Sequence, residues 1–295
     1  MATVPVPEVI GARHPTVKRL RRLSRRRSSR TDEGAFVVDG PGLLAEALDA
    51  GVALDEVVAE PGAPADLLAR AAAAGAVVRR AAAGTLAGAT DTTTPQPTAA
   101  VARLPGRASV AEVVGRAGPL ALVLAGVADP GNAGTLLRSA EAAGAGAVLF
   151  CDGSVDPYGP KCVRSSAGSL FRLAVVRAAG SDEVLGALRA AGIPTVATVA
   201  HGPAPAYDEV DLAGPMAFVL GSEAHGLADD MRRAVDTTVT IPMAGPTESL
   251  NVAMAGTVLC FEALRQRRRP GEPTGRRPHP DARVAGITTP LRTTT

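Results

Sequence analysis

Three short stretches of this 295-residue chain carry side chains that could act together on a bound ligand. In LAGVADPGNAGTLLR, Asp129, Pro130, Gly131 and Asn132 read as a turn, and Asn132 is expected to cap a helix over Ala133–Ala143. Arg138 follows nearly two turns in, and an amide at a helix start beside a guanidinium suits a phosphate or an oxygen nucleophile. The same residues also read as an ordinary Asn cap and a surface arginine. In FVLGSEAHGL, Gly221 and Gly226 let the backbone turn or approach a ligand closely, and Ser222, Glu223 and His225 add polar groups. That stretch reads as a cradle for an adenosine moiety or as a plain tight turn, with His225 either a general base or an exposed loop residue. In IPMAGPTESLNVAMAG, a loop through Met243, Gly245 and Pro246 leads to Glu248, Ser249 and Asn251 at the start of an apolar helix, Leu250 to Arg267. Neither G-x-G-x-x-G nor G-x-x-x-x-G-K-[ST] occurs, so dinucleotide and P-loop readings lose their usual support.

The elements that must position these stretches alternate between strand and helix. PLALVLAGV is apolar throughout, as the centre of a parallel sheet requires. A helix, AVLFC, a helix near Lys161–Ser169, RLAVV, a helix over Asp182–Ala191, PTVATVA, MAFVLG and TTVTIPM follow. Each candidate stretch therefore sits after a strand, where loops of open parallel sheets gather ligands. Upstream, HPTVKRLRRLSRRRSSR spaces Val17, Leu20 and Leu23 as a narrow stripe on a basic surface helix. AFVVDG, PGLLAEALDAG, LDEVVAE, a helix over Ala63–Ala74 and AVVRRA continue the alternation, until TDTTTPQP breaks it before a weak strand, TAAVARLP. The pattern predicts two α/β units, 1–105 and 119–268, joined by a linker at 106–118. A Pro-, Gly-, Arg- and Thr-rich tail, 269–295, is expected to be disordered.

Charge is segregated along the chain although the net value is only +2. Arg13 to Arg30 holds nine bases and no acid, the segment from Arg265 onward holds eight bases and two acids, and Thr31 to Leu264 holds 14 bases against 26 acids. An acidic body with basic ends suits a polyanionic partner, and it also reads as a solvated helix face plus a tail. Aromatics are 2% with no Trp, which argues against a surface of stacking rings. No apolar run is long enough to span a membrane, and the basic N-terminus lacks a following apolar segment, so a cytoplasmic location is expected. Cys151, Cys162 and Cys260 lack metal-ligand spacing, and reduced thiols with no metal are expected.

The three stretches resemble the motifs of the SpoU (TrmH) class of RNA 2′-O-methyltransferases. They correspond to N-x-G-x-x-x-R at Asn132, Gly134 and Arg138, to L-G-x-E-x-x-G at Leu220, Gly221, Glu223 and Gly226, and to I-P-M-x-G-x-x-E-S-L-N-V-A at Ile241–Ala253. DPYGPKCVRSSAGSLFRL is similar to a further signature of that class, with Gly159 in place of the usual Asn and Ala174 in place of Pro. The basic N-terminal stretch and TDTTTPQ are similar to its ribosomal-protein-like RNA-binding domain.

The resemblance implies a C-terminal α/β-knot fold, a trefoil-knotted parallel sheet, although the general rule against threaded chains argues the other way. It implies a homodimer that uses S-adenosylmethionine and acts on RNA, with ribosomal RNA favoured over transfer RNA. Carried over residue by residue, Arg138, Asn132, Glu223, Ser249 and Asn251 are catalytic, with Arg138 supplied across the dimer. Leu220, Gly221, Glu223, Gly226, Ile241, Met243, Ser249, Leu250 and Ala253 hold the cofactor. Arg13, Lys18, Arg19, Arg22, Arg26 and Arg164 are candidate RNA contacts, with a salt bridge within the domain equally open for Arg164. A guanidinium is a poor base, so Arg138 reads either as the group that activates the hydroxyl or as a phosphate or alkoxide stabiliser. Two other classes remain: a non-catalytic RNA-binding or ribosome-assembly protein, and an oxidoreductase, which would need the missing glycine fingerprint.

Overall fold

The computed structural model describes residues 9–92, 94–199, 203–223, 226–247 and 249–268. His225, Glu248 and the tail expected at 269–295 lie outside the described residues. The chain begins with α1 (Pro15–Arg25), α2 (Arg27–Glu33), β1 (Ala35–Asp39), α3 (Pro41–Asp49), β2 (Leu54–Ala59), α4 (Ala65–Ala73), β3 (Val77–Arg80) and β4 (Thr98–Arg103). Their strands form one sheet in the order β1-β4-β2-β3, with β4 antiparallel to both neighbours. The weak strand of the sequence thus lies inside the sheet, where its small side chains pack without crowding. Val17, Leu20 and Leu23 are fully buried against Val37 and Val101, so the apolar stripe of α1 seats that helix with its arginines outward.

The segment expected to be a plain linker carries a helix, α5 (Val110–Val114), started by a capping box between Ser109 and Glu112. Then follow β5 (Leu120–Leu124), α6 (Pro130–Ala142), β6 (Ala147–Cys151), α7 (Pro160–Ser165), a 3-10 turn (Ser169–Phe171), β7 (Ala174–Ala179) and α8 (Ser181–Ala190). The last elements are β8 (Thr195–Thr198), β9 (Met216–Leu220), α9 (Asp229–Ala234), β10 (Thr237–Val239) and α10 (Val252–Arg267). The six strands are all parallel in the order β10-β8-β9-β5-β6-β7. Helices cover both faces, which is why β5 and β6 are apolar at every position.

The basic helix is broken at the extended Arg26 into α1 and α2, α10 starts at Val252 rather than Leu250 because Asn251 is its cap, and two further helix boundaries differ from the sequence reading. The helix α6 starts at Pro130, because Asp129, rather than Asn132, is the cap: its Oδ1 accepts from the Asn132 N–H at 2.9 Å. The helix near Lys161–Ser169 stops at Ser165, because Ala167 and Gly168 take left-handed backbones with φ of 47° and 90°. The short helix α9 was not anticipated from the sequence.

The two units share a core. One continuous apolar cluster runs from Phe36, Leu44 and Ala100 to Leu122, Leu137 and Phe150. Arg30 and Asp156 form a buried ion pair across the junction at 2.7 Å, and Arg30 also donates to the Leu23 carbonyl at 2.7 Å. Phe36 packs against Tyr158 with ring centroids 5.1 Å apart, and Arg172 joins Glu46 of the first unit to Glu141 of the second.

Candidate active site

β5 and β9 lie side by side in parallel, so the loops that follow them leave the same sheet edge together. Ala125 N donates to the Leu220 carbonyl at 2.8 Å, extending the pairing one residue past the strands. The loop after β9 is then tight. Ser222 and Gly226 exchange two backbone hydrogen bonds of 2.9 Å, Gly226 sits at φ 66°, and a Cβ on Gly221 would overlap the Gly226 carbonyl.

This loop projects Glu223 onto the start of α6. Its carboxylate accepts from the Asn132 side-chain amide at 3.0 Å, the Ala128 N–H at 3.1 Å and the Asp129 N–H at 3.2 Å. Partial burial alone would push the Glu223 carboxyl up. The Asn132 amide and the backbone N–H groups outweigh it and hold the group below the ordinary glutamate range.

Asn132, released from capping by Asp129, uses its other end on the third stretch. Its Oδ1 accepts from Asn251 Nδ2 at 3.1 Å, and Asn251 Oδ1 caps α10 by accepting from Ala253 N at 2.9 Å. Every donor in this chain has one possible direction. The backbone N–H fixes the Asn251 carbonyl, which fixes its amide toward Asn132, which in turn aims its own amide at an ionised acceptor. Three stretches separated by up to 119 positions thus form one oriented polar cluster.

The supporting helices are packed closely enough to hold it. A Cβ on Gly134 would overlap the Ser165 side chain of α7, and one on Gly256 of α10 would overlap Leu136 and Leu220. Ser139 and Thr257 hydroxyls meet at 2.7 Å between α6 and α10. The sequence showed Asp129 only as a turn residue and gave no role to Lys161 or Ser165. Lys161 Nζ donates to Asp129 Oδ2 at 3.2 Å and Ser165 Oγ to the Pro130 carbonyl at 3.0 Å, clamping the first turn of α6. The D-P pair, an N-cap followed by Pro at the first helical position, was the available signal for Asp129.

The remaining candidates are distributed as follows. Leu220, Gly221 and Ala253 are buried, Ile241 and Met243 are half-buried, and Gly226, Ser249 and Leu250 are exposed. Arg138 is exposed and makes no hydrogen bond or ion pair with a described residue. Six positions after Asn132, it lies about 9 Å along the helix and roughly a third of a turn round from it. The structure therefore does not bring Arg138 to the cluster of its own chain. Arg13, Lys18 and Arg26 are exposed, and Arg22 is exposed but pairs with Glu33 at 2.7 Å. Arg19 is held by Glu33 at 3.0 Å, Asp55 at 3.0 Å and Glu56 at 3.4 Å, and Arg164 donates to the Asp91 carbonyl at 3.0 Å. No group of three or more metal-ligating side chains occurs among the described residues, and no described helix is long and apolar enough to cross a membrane.

A mixed α/β unit fused to a parallel sheet, with an Asn–Glu–Asn cluster at its strand ends, defines a class of protein that was already legible in the three motifs. The chain belongs to the SpoU rRNA methylase family, whose family model matches residues 119–261, and residues 14–100 match the MRM3-like substrate binding domain. It is 31% identical over 256 residues to 23S rRNA (guanosine(2553)-2′-O)-methyltransferase RlmP of Bacillus subtilis, covering 86% of this chain and 98% of that one. It is 44% identical over 144 residues to 23S rRNA (uridine(2479)-2′-O)-methyltransferase of Streptomyces viridochromogenes, a match spanning 47% of this chain and half of that protein. Among solved structures, the AdoMet-bound rRNA methyltransferase of Sinorhizobium meliloti superposes with a TM-score of 0.79 at 28% identity, covering 89% of this chain and 99% of that one. The SpoU methyltransferase AviRb of Streptomyces viridochromogenes, in complex with AdoMet, gives 0.77 at 31% identity, covering 86% and 99%.

Proposed function

We propose that this chain is an S-adenosylmethionine-dependent methyltransferase that methylates a ribose 2′-hydroxyl of 23S ribosomal RNA. The observation that carries the proposal is the Asn251–Asn132–Glu223 cluster, which joins all three family stretches at one sheet edge. Family membership and the near full-length match to an rRNA methyltransferase support it.

The residues at this edge fit the cofactor. Ile241, Met243 and Leu250 offer apolar surface, Leu250 at 38% exposure, on the stretch that Asn251 and Asn132 tie to the glycine loop, where Gly221 leaves no room for a side chain and Gly226 takes a φ of 66° that disfavours one. Leu220, Gly221, Gly226 and Ile241 would hold the adenosine through backbone groups, and Ser249 and Ala253 would border it. When bound, S-adenosylmethionine supplies an electrophilic methyl group on a sulfonium. Glu223 fixes the loop that carries the Gly221 and Gly226 backbone groups, and Asn132 and Asn251 keep that loop in register with α6 and α10.

The depressed Glu223 carboxyl is a hydrogen-bond acceptor and a weak base. Arg138 would steady the phosphate beside the reacting ribose, or the oxygen as it loses its proton. Because Arg138 is exposed and makes no contact with the cluster of its own chain, it would serve a second copy. The apolar face of α10, with Met254 57% and Phe261 46% exposed, supports a homodimer through this unit. Residues 1–105 would hold RNA through Arg13, Lys18, Arg22 and Arg26, with 106–118 connecting them to the catalytic unit, 119–268. The trefoil knot implied by the family resemblance belongs to the same proposal, as does a cytoplasmic location.

Incubation with labelled cofactor and 23S rRNA, followed by mapping of the methylated ribose, tests the activity. Arg138→Ala is expected to abolish transfer while calorimetric cofactor affinity stays within about threefold. Cofactor binding lost in that variant would place Arg138 in the wrong role.

A further inference from the structure

The short helix α7 touches both units. On one side, Lys161 and Ser165 clamp the first turn of α6, which delivers Asn132 to the cluster, and Gly134 leaves no gap between the two helices. On the other side, Arg164 reaches the first unit, where its Nη2 donates to the Asp91 carbonyl at 3.0 Å. Its Nη1 is buried without a hydrogen-bond partner among the described residues. The same holds for both carboxylate oxygens of Asp39, the last residue of β1, which is 6% exposed.

Burial pushes the Asp39 carboxyl up, against the pull of the Thr90 and Thr92 hydroxyls and the charge of Arg164. Those hydroxyls are 2.9 Å from each other. A buried carboxylate and a buried guanidinium nitrogen that act on each other without closing an ion pair leave both desolvated, an arrangement that a bridging water relieves.

We propose that Arg164 is a positioning residue: anchored by the Asp91 carbonyl and balanced by the buried charge of Asp39, it fixes α7, and through α7 the first turn of α6, relative to the RNA-holding unit, and it does not contact RNA. This rests on the methyltransferase reading above. The hydrogen-bonded link is short, running from the Asp91 carbonyl to Arg164, along α7 to Ser165, and from there to the Pro130 carbonyl, two residues before Asn132. It assigns a task to the buried face of Arg164 that a phosphate contact would leave unexplained.

The test uses the full chain with Arg164→Lys, Arg164→Ala, Asp39→Asn and Asp39→Glu. Arg164→Lys and Asp39→Asn are expected to lower kcat about tenfold or more, since small misplacements of a reacting geometry are costly. KM for RNA should stay within about threefold. The double variant should be no worse than the poorer single one, because the two residues act as one unit. Asp39→Glu keeps the charge, can reach farther toward Nη1, and should restore kcat to within about threefold of the parent. Arg164→Ala should leave the dependence of RNA affinity on salt unchanged.

A log–log salt slope that falls by about 0.7–0.9 in Arg164→Ala, with KM raised, would make Arg164 a phosphate contact and overturn the proposal. Hydrogen exchange supplies a readout free of turnover. Asp39→Asn should accelerate exchange both in residues 85–92 and in the first turn of α6, and acceleration confined to the first unit would overturn the link. A parent protein that methylates no RNA, with exchange behaving as expected, would instead remove the methyltransferase reading and leave the link standing.

Discussion

Glu223 accepts three hydrogen bonds from groups outside its own loop, and that fixes its charge state. Its folded carboxyl lies below the ordinary value, so its contribution to stability is complete above the unfolded glutamate range, about pH 4.3, and disappears as pH falls through the lower folded value. Glu223→Gln turns an acceptor oxygen into a donor facing other donors. At this exposed position it is expected to cost about 1 kcal/mol at pH 7, measured by urea unfolding, with the difference from the parent shrinking in acid. The residue types of this cluster were readable from sequence because the motifs are short and local. The exchange of roles between Asp129 and Asn132 was harder to read, because either can cap a helix and only the position of Glu223, more than ninety residues away, decides between them. Charge counting could not show the ion pairs of Arg19 for a similar reason, since its partners Asp55 and Glu56 arrive from β2. Arg26→Ala is therefore expected to weaken RNA binding and lower its salt slope by about 0.7–0.9, if that residue touches a phosphate. Arg19→Ala should lower the unfolding midpoint while leaving that slope nearly unchanged, as filter binding and urea titration would show.

At the scale of elements, α6 sits between α7 and α10 with glycines at both contacts. A Cβ on Gly134 would meet the Ser165 carbonyl carbon at 2.8 Å as well as its side chain, whereas the groups facing Gly256 are the far ends of two leucines. Gly134→Ala is expected to destabilise by about 3 kcal/mol and Gly256→Ala by about 1 kcal/mol, because leucine tips can shift and backbone cannot. Equal losses in thermal unfolding would show that α7 yields as readily as the leucines. Strands were the most legible elements, since their apolar runs are bounded by glycine and proline. The helix α5 was readable from Ser109-x-x-Glu112 ahead of an apolar run, but the arginines and glycines around it gave the segment the composition of a linker. The end of α7 was not readable, because a left-handed alanine at position 167 carries no compositional signal.

At the scale of the molecule, the alternation of elements showed two units but not their fusion, which depends on partners such as Arg30 and Asp156, 126 positions apart. Arg30→Ala would strand a buried carboxylate and is expected to cost about 3–5 kcal/mol. Loss of the junction should also be visible in calorimetry as two transitions in place of one. The same fusion constrains how a nucleic acid can be used. The apolar cluster beneath the strand ends continues into one face of the first sheet, and a second cluster on that sheet's other face seats the basic helix, so the protein is built as a fixed jig and not as a closing jaw. On the methyltransferase reading, the bending that brings a sugar to Asn132 would have to come from the RNA, and a bulge or hairpin loop is expected to be methylated faster than a stiff duplex of the same sequence in a labelled-cofactor assay.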